Sequence, residues 1–343
     1  MKEKVKIAIY WGAGCGGCDV AILDLDDKIL ELIEVGEIVF WPIICDTKLE
    51  GLEKMPDGSI GISFYNGAVR NSENEHMAKL LRKKSRYLVA LGSCACFGGI
   101  PSLANAVEKG EIIDKIYKEN LSTENPSKVV PECKSEIKEG VLTLPQFYEN
   151  VRALEDVVEV DCYMPGCAPT RNLIEMALEI VRKHVSEGVP LPERGSVIGS
   201  EKTLCDECPR ERKDRKIEKI YMPHEIEADR SVCLLDQGII CLGPATRGGC
   251  GAKCLEGNQP CRGCMGPTSA VMEQGASMLS ALSSILVAKG DESTLSEEEI
   301  EKLISGIKDP LGTFYSFTLG KSLLRRRYKE SRRAVKEANK CSQ

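Results

Sequence analysis

No apolar run in this chain approaches the ~20 residues that a bilayer-spanning helix needs, so no membrane span is expected. Residues 1–6 are charged and lead straight into a strand, unlike a secretory leader, and no twin-arginine signal is seen. An excess of positive charge is also missing. Lys and Arg number 46 against 52 Asp and Glu, a net charge of −6, which argues against nucleic acid as a partner of the whole chain. The glycine-rich stretch at 12–17 has no following Gly-Lys-Ser/Thr, which argues against a Walker loop. Histidine is scarce: His76, His184 and His224 are the three present, and all are read as structural or exposed. No internal repeat is visible.

Cysteine is what the sequence has in excess, with 17 in 343 residues. Disulfide frameworks of that density belong to short secreted chains. Without a leader, a cytoplasmic, reducing compartment is expected, and there paired cysteines mean metal or redox chemistry. The first pair lies in Tyr10-Trp11-Gly12-Ala13-Gly14-Cys15-Gly16-Gly17-Cys18-Asp19. Taken alone, it fits a redox dithiol, a zinc or iron ligand pair, or a phosphate loop that carries cysteines.

The surrounding pattern predicts strands at Val5–Tyr10, Glu37–Ile44, Ser59–Tyr65, Tyr87–Leu91 and Val157–Tyr163. Helices are expected after Asp19, read as a helix cap, over Asn74–Lys84, and from Thr170 to about His184. Residues 101–150, polar and interrupted by prolines, read as a long connection. Strands alternating with helices indicate an α/β, doubly wound parallel sheet. Ligands of such sheets bind where loops leave the carboxyl ends of strands. Cys15, Cys18, Cys94 and Cys167 all fall on such loops, so four thiolates from three strands are expected to meet at one sheet edge.

Residues 188–199 read as a linker, and the regular pattern then fades. Residues 200–270 hold eight cysteines in two sets: Cys205, Cys208, Cys233 and Cys241, then Cys250, Cys254, Cys261 and Cys264. So dense a segment seldom builds its own core, and bound metal would supply much of its stability. A zinc ribbon is one reading, but it needs four ligands and this segment holds eight. Cys208 precedes Pro209, a step common beside iron–sulfur ligands. Three sets of four favour three 4Fe-4S clusters, and a row of clusters serves to move single electrons. A helical pattern resumes at Leu279–Ala288, Ser296-x-x-Glu299 reads as a capping box, and nine Lys/Arg against two Glu follow from Lys321 onward. The basic tail, with Arg325-Arg326-Arg327, reads as a solvated helix, or as a docking face for an acidic partner. The expected division is 1–187, 188–290 and 291–343: sheet domain, small irregular iron–sulfur domain, and helical basic tail.

The runs WGAGCGGCD, LGSCACFGGIPS and YMPGCAPT resemble the small subunit of nickel–iron hydrogenases. LCDECPRERK and CLLDQGIICLGPATRGGCGAKCLEGNQPCRGCMGP are similar to its cytosolic, methyl-viologen-reducing, factor-420-non-reducing branch, which is associated with heterodisulfide reductase. The resemblance implies a flavodoxin-like amino-terminal domain that holds a proximal cluster on Cys15, Cys18, Cys94 and Cys167. It implies a distal cluster on Cys205, Cys208, Cys233 and Cys241, and a medial one on Cys250, Cys254, Cys261 and Cys264. In membrane-linked and periplasmic relatives a histidine stands in the place of Cys205, and the medial site often holds three cysteines. A fourth thiolate from Cys254 should complete a cubane and lower its potential. Gly14 stands where those relatives commonly carry a carboxylate. The resemblance also implies that the nickel–iron site lies in a partner large subunit, since this chain lacks the terminal C-x-x-C pairs of that subunit. Electrons would then pass to an iron–sulfur adaptor (delta) subunit and to heterodisulfide reductase and ferredoxin. A quinone-reductase-type subunit, with the same amino-terminal fold, would carry one cluster and lack the eight later cysteines.

Five cysteines stay outside these sets. Cys96, next but one to Cys94, is the alternative ligand there, and Cys94 is preferred from the family motif. Cys162 is read as a small core residue. Cys45, Cys133 and Cys341 are given no role.

Overall fold

The computed structural model describes residues 4–213, 217, 219–287 and 297–324. Ten strands form along the chain: β1 (Val5–Trp11), β2 (Gly36–Phe40), β3 (Ile60–Asn66), β4 (Val69–Asn71), β5 (Ser85–Leu91), β6 (Lys134–Ile137), β7 (Gly140–Thr143), β8 (Phe147–Arg152), β9 (Cys162–Met164) and β10 (Ser196–Val197). Six of them make one sheet in the order β10-β9-β5-β3-β1-β2, every pair parallel. Counting only these strands, the first five follow the flavodoxin-like order, and strand order reverses beside β1.

Both faces of this sheet are covered, which is why its strands read as continuous apolar runs. Ile7 and Ile9 of β1 point to one core with Ile62, Val89, Leu91 and Met164. Ala8 and Tyr10 point to the other, with Ile60, Leu88, Ala90 and Met77. Helix Arg171–Glu187 closes the first core through Leu173, Ile174, Ala177, Leu178 and Val181, a stripe at helical spacing. It stops at Gly188, whose φ of 75° is the left-handed conformation that ends helices. Helix Ser72–Lys84 closes the second, and the Asn71 side chain caps it by accepting the Asn74 N–H at 2.8 Å.

Several expected boundaries move. The second strand ends at Phe40, because Pro42 cannot donate to a ladder and the Ile44 and Cys45 amides turn back to the Trp41 carbonyl. The fifth expected strand shrinks to β9. Residues Leu154–Asp156 form a 3-10 turn, held by the Asp156 carboxylate accepting from the Ala153 N–H at 3.1 Å. The Asp161 carboxylate takes the Leu88 N–H at 2.8 Å, so pairing with β5 begins at Cys162. The stretch 188–199 is more than a linker, since β10 pairs with β9 as the edge strand. Residues 101–150 contain helix Lys109–Tyr117, the β6–β7 hairpin, and β8, which pairs antiparallel with β4.

The cysteine-rich segment has only short turns, as expected, yet it does have a core. Leu234, Leu235, Ile239 and Leu242 pack with Met278 and Leu282 of helix Gln274–Val287 and with Phe314 and Leu319. That helix starts earlier than the pattern at Leu279 indicates, and a further helix covers Glu297–Ile304. Ser296, Ala288, Cys341 and the tail from Arg325 lie outside the described residues. Among the described residues no helix is long and apolar enough to cross a membrane.

Candidate metal centres

The loop after β1 is pinned against the loop after β3. The Gly12 N–H donates to Asn66 O at 2.7 Å, and Ala13 and Ala68 exchange two backbone bonds. This fixes Cys15 in the loop and Cys18 in the first turn of helix Gly17–Leu23. Cys94 lies in helix Gly92–Phe97 after β5, and Cys167 in the loop after β9. Since β1, β3, β5 and β9 are consecutive across the sheet, their loops share one edge. The four thiols feel one another there. Burial pushes the Cys18 thiol far up, and Cys94, Cys167, Asp19 and Cys15 add to it. Burial brings Cys94 up to about 12, with Cys167 and Cys15 adding to it.

Two glycines show how tightly the backbone surrounds these sulfurs. A Cβ on Gly92, at φ +81°, would stand 2.3 Å from Cys18 Sγ. A Cβ on Gly99 would stand 2.6 Å from Cys94 Sγ. Cys96 faces elsewhere: it is buried, and its thiol donates to Ala90 O at 3.3 Å. Cys162 is likewise buried in β9, whereas Cys45 and Cys133 are partly buried outside the three sets.

Cys205, Cys208, Cys233 and Cys241 line one cavity together with Arg210 and Arg212. Burial raises the Cys205 thiol, and the positive charge of Arg212 opposes that rise. Burial brings Cys241 up to about 11. In the remaining set, burial brings Cys264 up to about 12, and Cys250 and Cys254 add to it. Cys254 is exposed, at the start of the short helix Lys253–Glu256. Cys261 is buried between sets: burial raises its thiol, and so do Cys241 and Cys264.

The sets touch at two junctions. Ser93 Oγ, next to Cys94, donates to the Cys264 carbonyl at 2.6 Å. The Cys261 N–H donates to Cys241 Sγ at 3.3 Å. Glu207, between Cys205 and Cys208, accepts from the Gly249 and Gly251 amides on either side of Cys250.

Among the described residues no three Cys, His, Asp or Glu side chains close on a point as a single ion needs. A zinc ion would draw its sulfurs to ~2.3 Å from one centre. Here Cys205, Cys208, Cys233 and Cys241 line a cavity, and burial raises thiols in all three sets, Cys18, Cys94, Cys241 and Cys264 among them, a donor set that suits a larger group carrying several positive metal charges. Backbone amides already point at sulfurs, as Gly17 N–H does at Cys15 Sγ and Gly263 N–H at Cys261 Sγ, both at 3.4 Å. These features fit iron–sulfur clusters.

Residues 15–180 match the family described as NADH ubiquinone oxidoreductase, 20 Kd subunit. The iron–sulfur subunit of the F420-non-reducing hydrogenase of Archaeoglobus profundus is 41% identical over 288 residues, 82% of this chain and 88% of the relative. The chain belongs to this family of F420-non-reducing hydrogenase subunits. The F420-non-reducing hydrogenase relative from Methanothermobacter thermautotrophicus is 35% identical across 94% of this chain and 97% of its own length. The vhu relative from Methanocaldococcus jannaschii is 35% identical across 95% and 98%. As a hydrogenase subunit, this chain is part of an oxidoreductase.

Sequence reasoning missed several residues of the hydrogenase subunit's sites. Asp19 does not cap its helix; Gly16 holds that position. Asp19 is buried instead, accepting from Trp41 Nε1 at 2.8 Å and from Asn66 Nδ2 at 3.0 Å. Ser93, Glu207, Arg210 and Arg212 carried only the signal of adjacency to cysteine.

Proposed function

We propose that this chain is the electron-transfer small subunit of a cytoplasmic nickel–iron hydrogenase, and that its three four-cysteine sets hold three 4Fe-4S clusters. Cys15, Cys18, Cys94 and Cys167 would hold the proximal one. Cys250, Cys254, Cys261 and Cys264 would hold the medial one, and Cys205, Cys208, Cys233 and Cys241 the distal one. Each cluster, when bound, accepts and releases one electron with little change of shape. The large subunit would oxidise H2 at its nickel–iron site and pass electrons to the proximal set. The distal set would pass them to an iron–sulfur adaptor (delta) subunit and on to heterodisulfide reductase and ferredoxin. The domains would be 1–187, 188–290 and 291–343.

One observation carries this reading: each neighbouring pair of sets is joined directly by hydrogen bonds. The Ser93 hydroxyl, next to Cys94, meets the Cys264 carbonyl, and the Cys261 amide meets Cys241. The protein's part is to hold the sets in series and keep them rigid. The Ser93 hydroxyl does so at the inner junction, and Glu207 at the outer side of the medial set. The amino-terminal match ends at residue 180, before the eight later cysteines, so a one-cluster quinone-reductase-type subunit accounts for only part of the chain. Iron and acid-labile sulfide on anaerobically purified protein test the reading. About 12 iron and 12 sulfide per chain are expected; mainly zinc and no sulfide would sink it.

A further inference from the structure

Arg210 lies two residues beyond Cys208 and is only 7% exposed. A guanidinium has five N–H groups, and four of these are accounted for. Nη1 donates to the carbonyls of Asp229 at 2.8 Å and Val232 at 3.0 Å. Nη2 donates to the Leu255 carbonyl at 3.2 Å and to Asn258 Oδ1 at 2.6 Å. The fifth, on Nε, is buried and meets no acceptor. Leaving a buried charged donor unmade forfeits its hydration for nothing. Yet Arg210 lines the cavity of Cys205, Cys208, Cys233 and Cys241, where the acceptors of a bound cluster would be sulfurs.

The charges beside the three sets differ in sign. Asp19, 1% exposed, stands beside Cys18 with no cation paired to it among the described residues. Glu207, between Cys205 and Cys208 in the chain, turns its carboxylate away to the amides flanking Cys250. The distal cavity has Arg210 and Arg212 in its wall and, among the described residues, no carboxylate. A nearby positive charge favours the more negative, reduced form of a centre, and a negative charge opposes it.

Resting on the iron–sulfur reading above, we propose that Arg210 is the positioning residue of the distal centre. Its Nε–H donates to a cluster sulfur, and its charge makes that centre easier to reduce than the inner two. Arg212, in the same cavity wall as Cys205, adds to the same effect. Each transfer then oxidises one centre and reduces the next by one electron, with no proton moved. The reductant is H2 at the partner subunit, and the final oxidant is an external iron–sulfur acceptor. The bias comes from fixed charges: Asp19 beside the proximal set, and Arg210 and Arg212 in the wall of the distal cavity.

The test uses the full chain in its native complex, kept anaerobic. The distal signal is identified by electron paramagnetic resonance as the one that Cys233→Ala removes, together with about 4 iron. Should Cys233→Ala lose neither, the iron–sulfur reading itself fails, and this inference with it. In Arg210→Met with full iron, the distal reduction equilibrium should fall at least tenfold, about 59 mV for one electron. The other two signals should not move, and Arg210→Lys should recover part of the shift. Full iron with an unmoved distal potential would overturn the inference. Should Arg210→Met not assemble, pulsed nuclear–electron resonance on the Arg212→Gln protein with 15N-labelled arginine decides. A 15N coupling to the distal signal is expected, and its absence overturns the assignment.

Discussion

Replacing Gly92 by alanine separates two costs that the structure predicts independently. Gly92 has a φ of +81°, and a Cβ there would lie 2.3 Å from Cys18 Sγ. The backbone conformation alone costs an L-residue about 1–2 kcal/mol. Moving the sulfur aside in a packed site adds about 1–3 kcal/mol, so Gly92→Ala should destabilise by about 2–5 kcal/mol in all. Gly58 is the control: its φ is +66°, with nothing within 4 Å of the added Cβ. Gly58→Ala should therefore cost only the backbone share, about 1–2 kcal/mol. The assay pairs denaturant midpoints with iron content on anaerobic protein. Gly58→Ala should keep about 12 iron, whereas Gly92→Ala, its Cys18 displaced, should hold about 8. If the two variants unfold within about 0.5 kcal/mol of each other and both carry full iron, Cys18 is not a ligand and the steric argument is wrong.

Other perturbations probe different residues. Cys254→Ser should convert the medial cluster towards a 3Fe-4S form with a raised potential; an oxidised variant without a new 3Fe resonance would remove Cys254 from the ligand set. Asp19→Asn removes a buried charge beside Cys18 while keeping an acceptor for Trp41, so the proximal centre should become easier to reduce, as a redox titration would show by an upward move of that signal alone. Asp161 receives Arg82, the Arg194 Nε at 3.0 Å and the Leu88 N–H at 2.8 Å. Asp161→Ala should cost about 3–5 kcal/mol by leaving these donors bare, and a loss below about 1 kcal/mol in chemical unfolding would contradict that.

Much of the fold was legible because parallel strands covered on both faces leave uninterrupted apolar runs, as Ile7 to Tyr10 do. Where a side chain replaced a ladder bond, the pattern misled. Asp161 occupies the Leu88 amide and shortens the strand that Val157–Val160 suggested. The core of the cysteine-rich segment was hidden for another reason: its apolar partners, Met278, Leu282, Phe314 and Leu319, come from later in the chain. The cysteine sets could be read from spacing and strand ends. Their surroundings could not, because the burial of Asp19 and the coordination of Arg210 depend on Trp41, Asn66, Leu255 and Asn258, distant in sequence.

The junction between Ser93 and Cys264 also bears on maturation. Ser93 reaches Cys264 across 171 residues, whereas Cys205 and Cys241 belong to one short stretch of chain. Contacts between distant residues carry the larger loop-closure entropy and form after local ones. The two later sets can each gather within their own segment, Cys205 to Cys241 and Cys250 to Cys264. The first cannot, because Cys15, Cys18, Cys94 and Cys167 meet only once β1, β5 and β9 share the sheet. A chain halted early in folding would accordingly have its later thiols gathered and its first four still apart, and the Ser93–Cys264 bond forms only when both halves are in place.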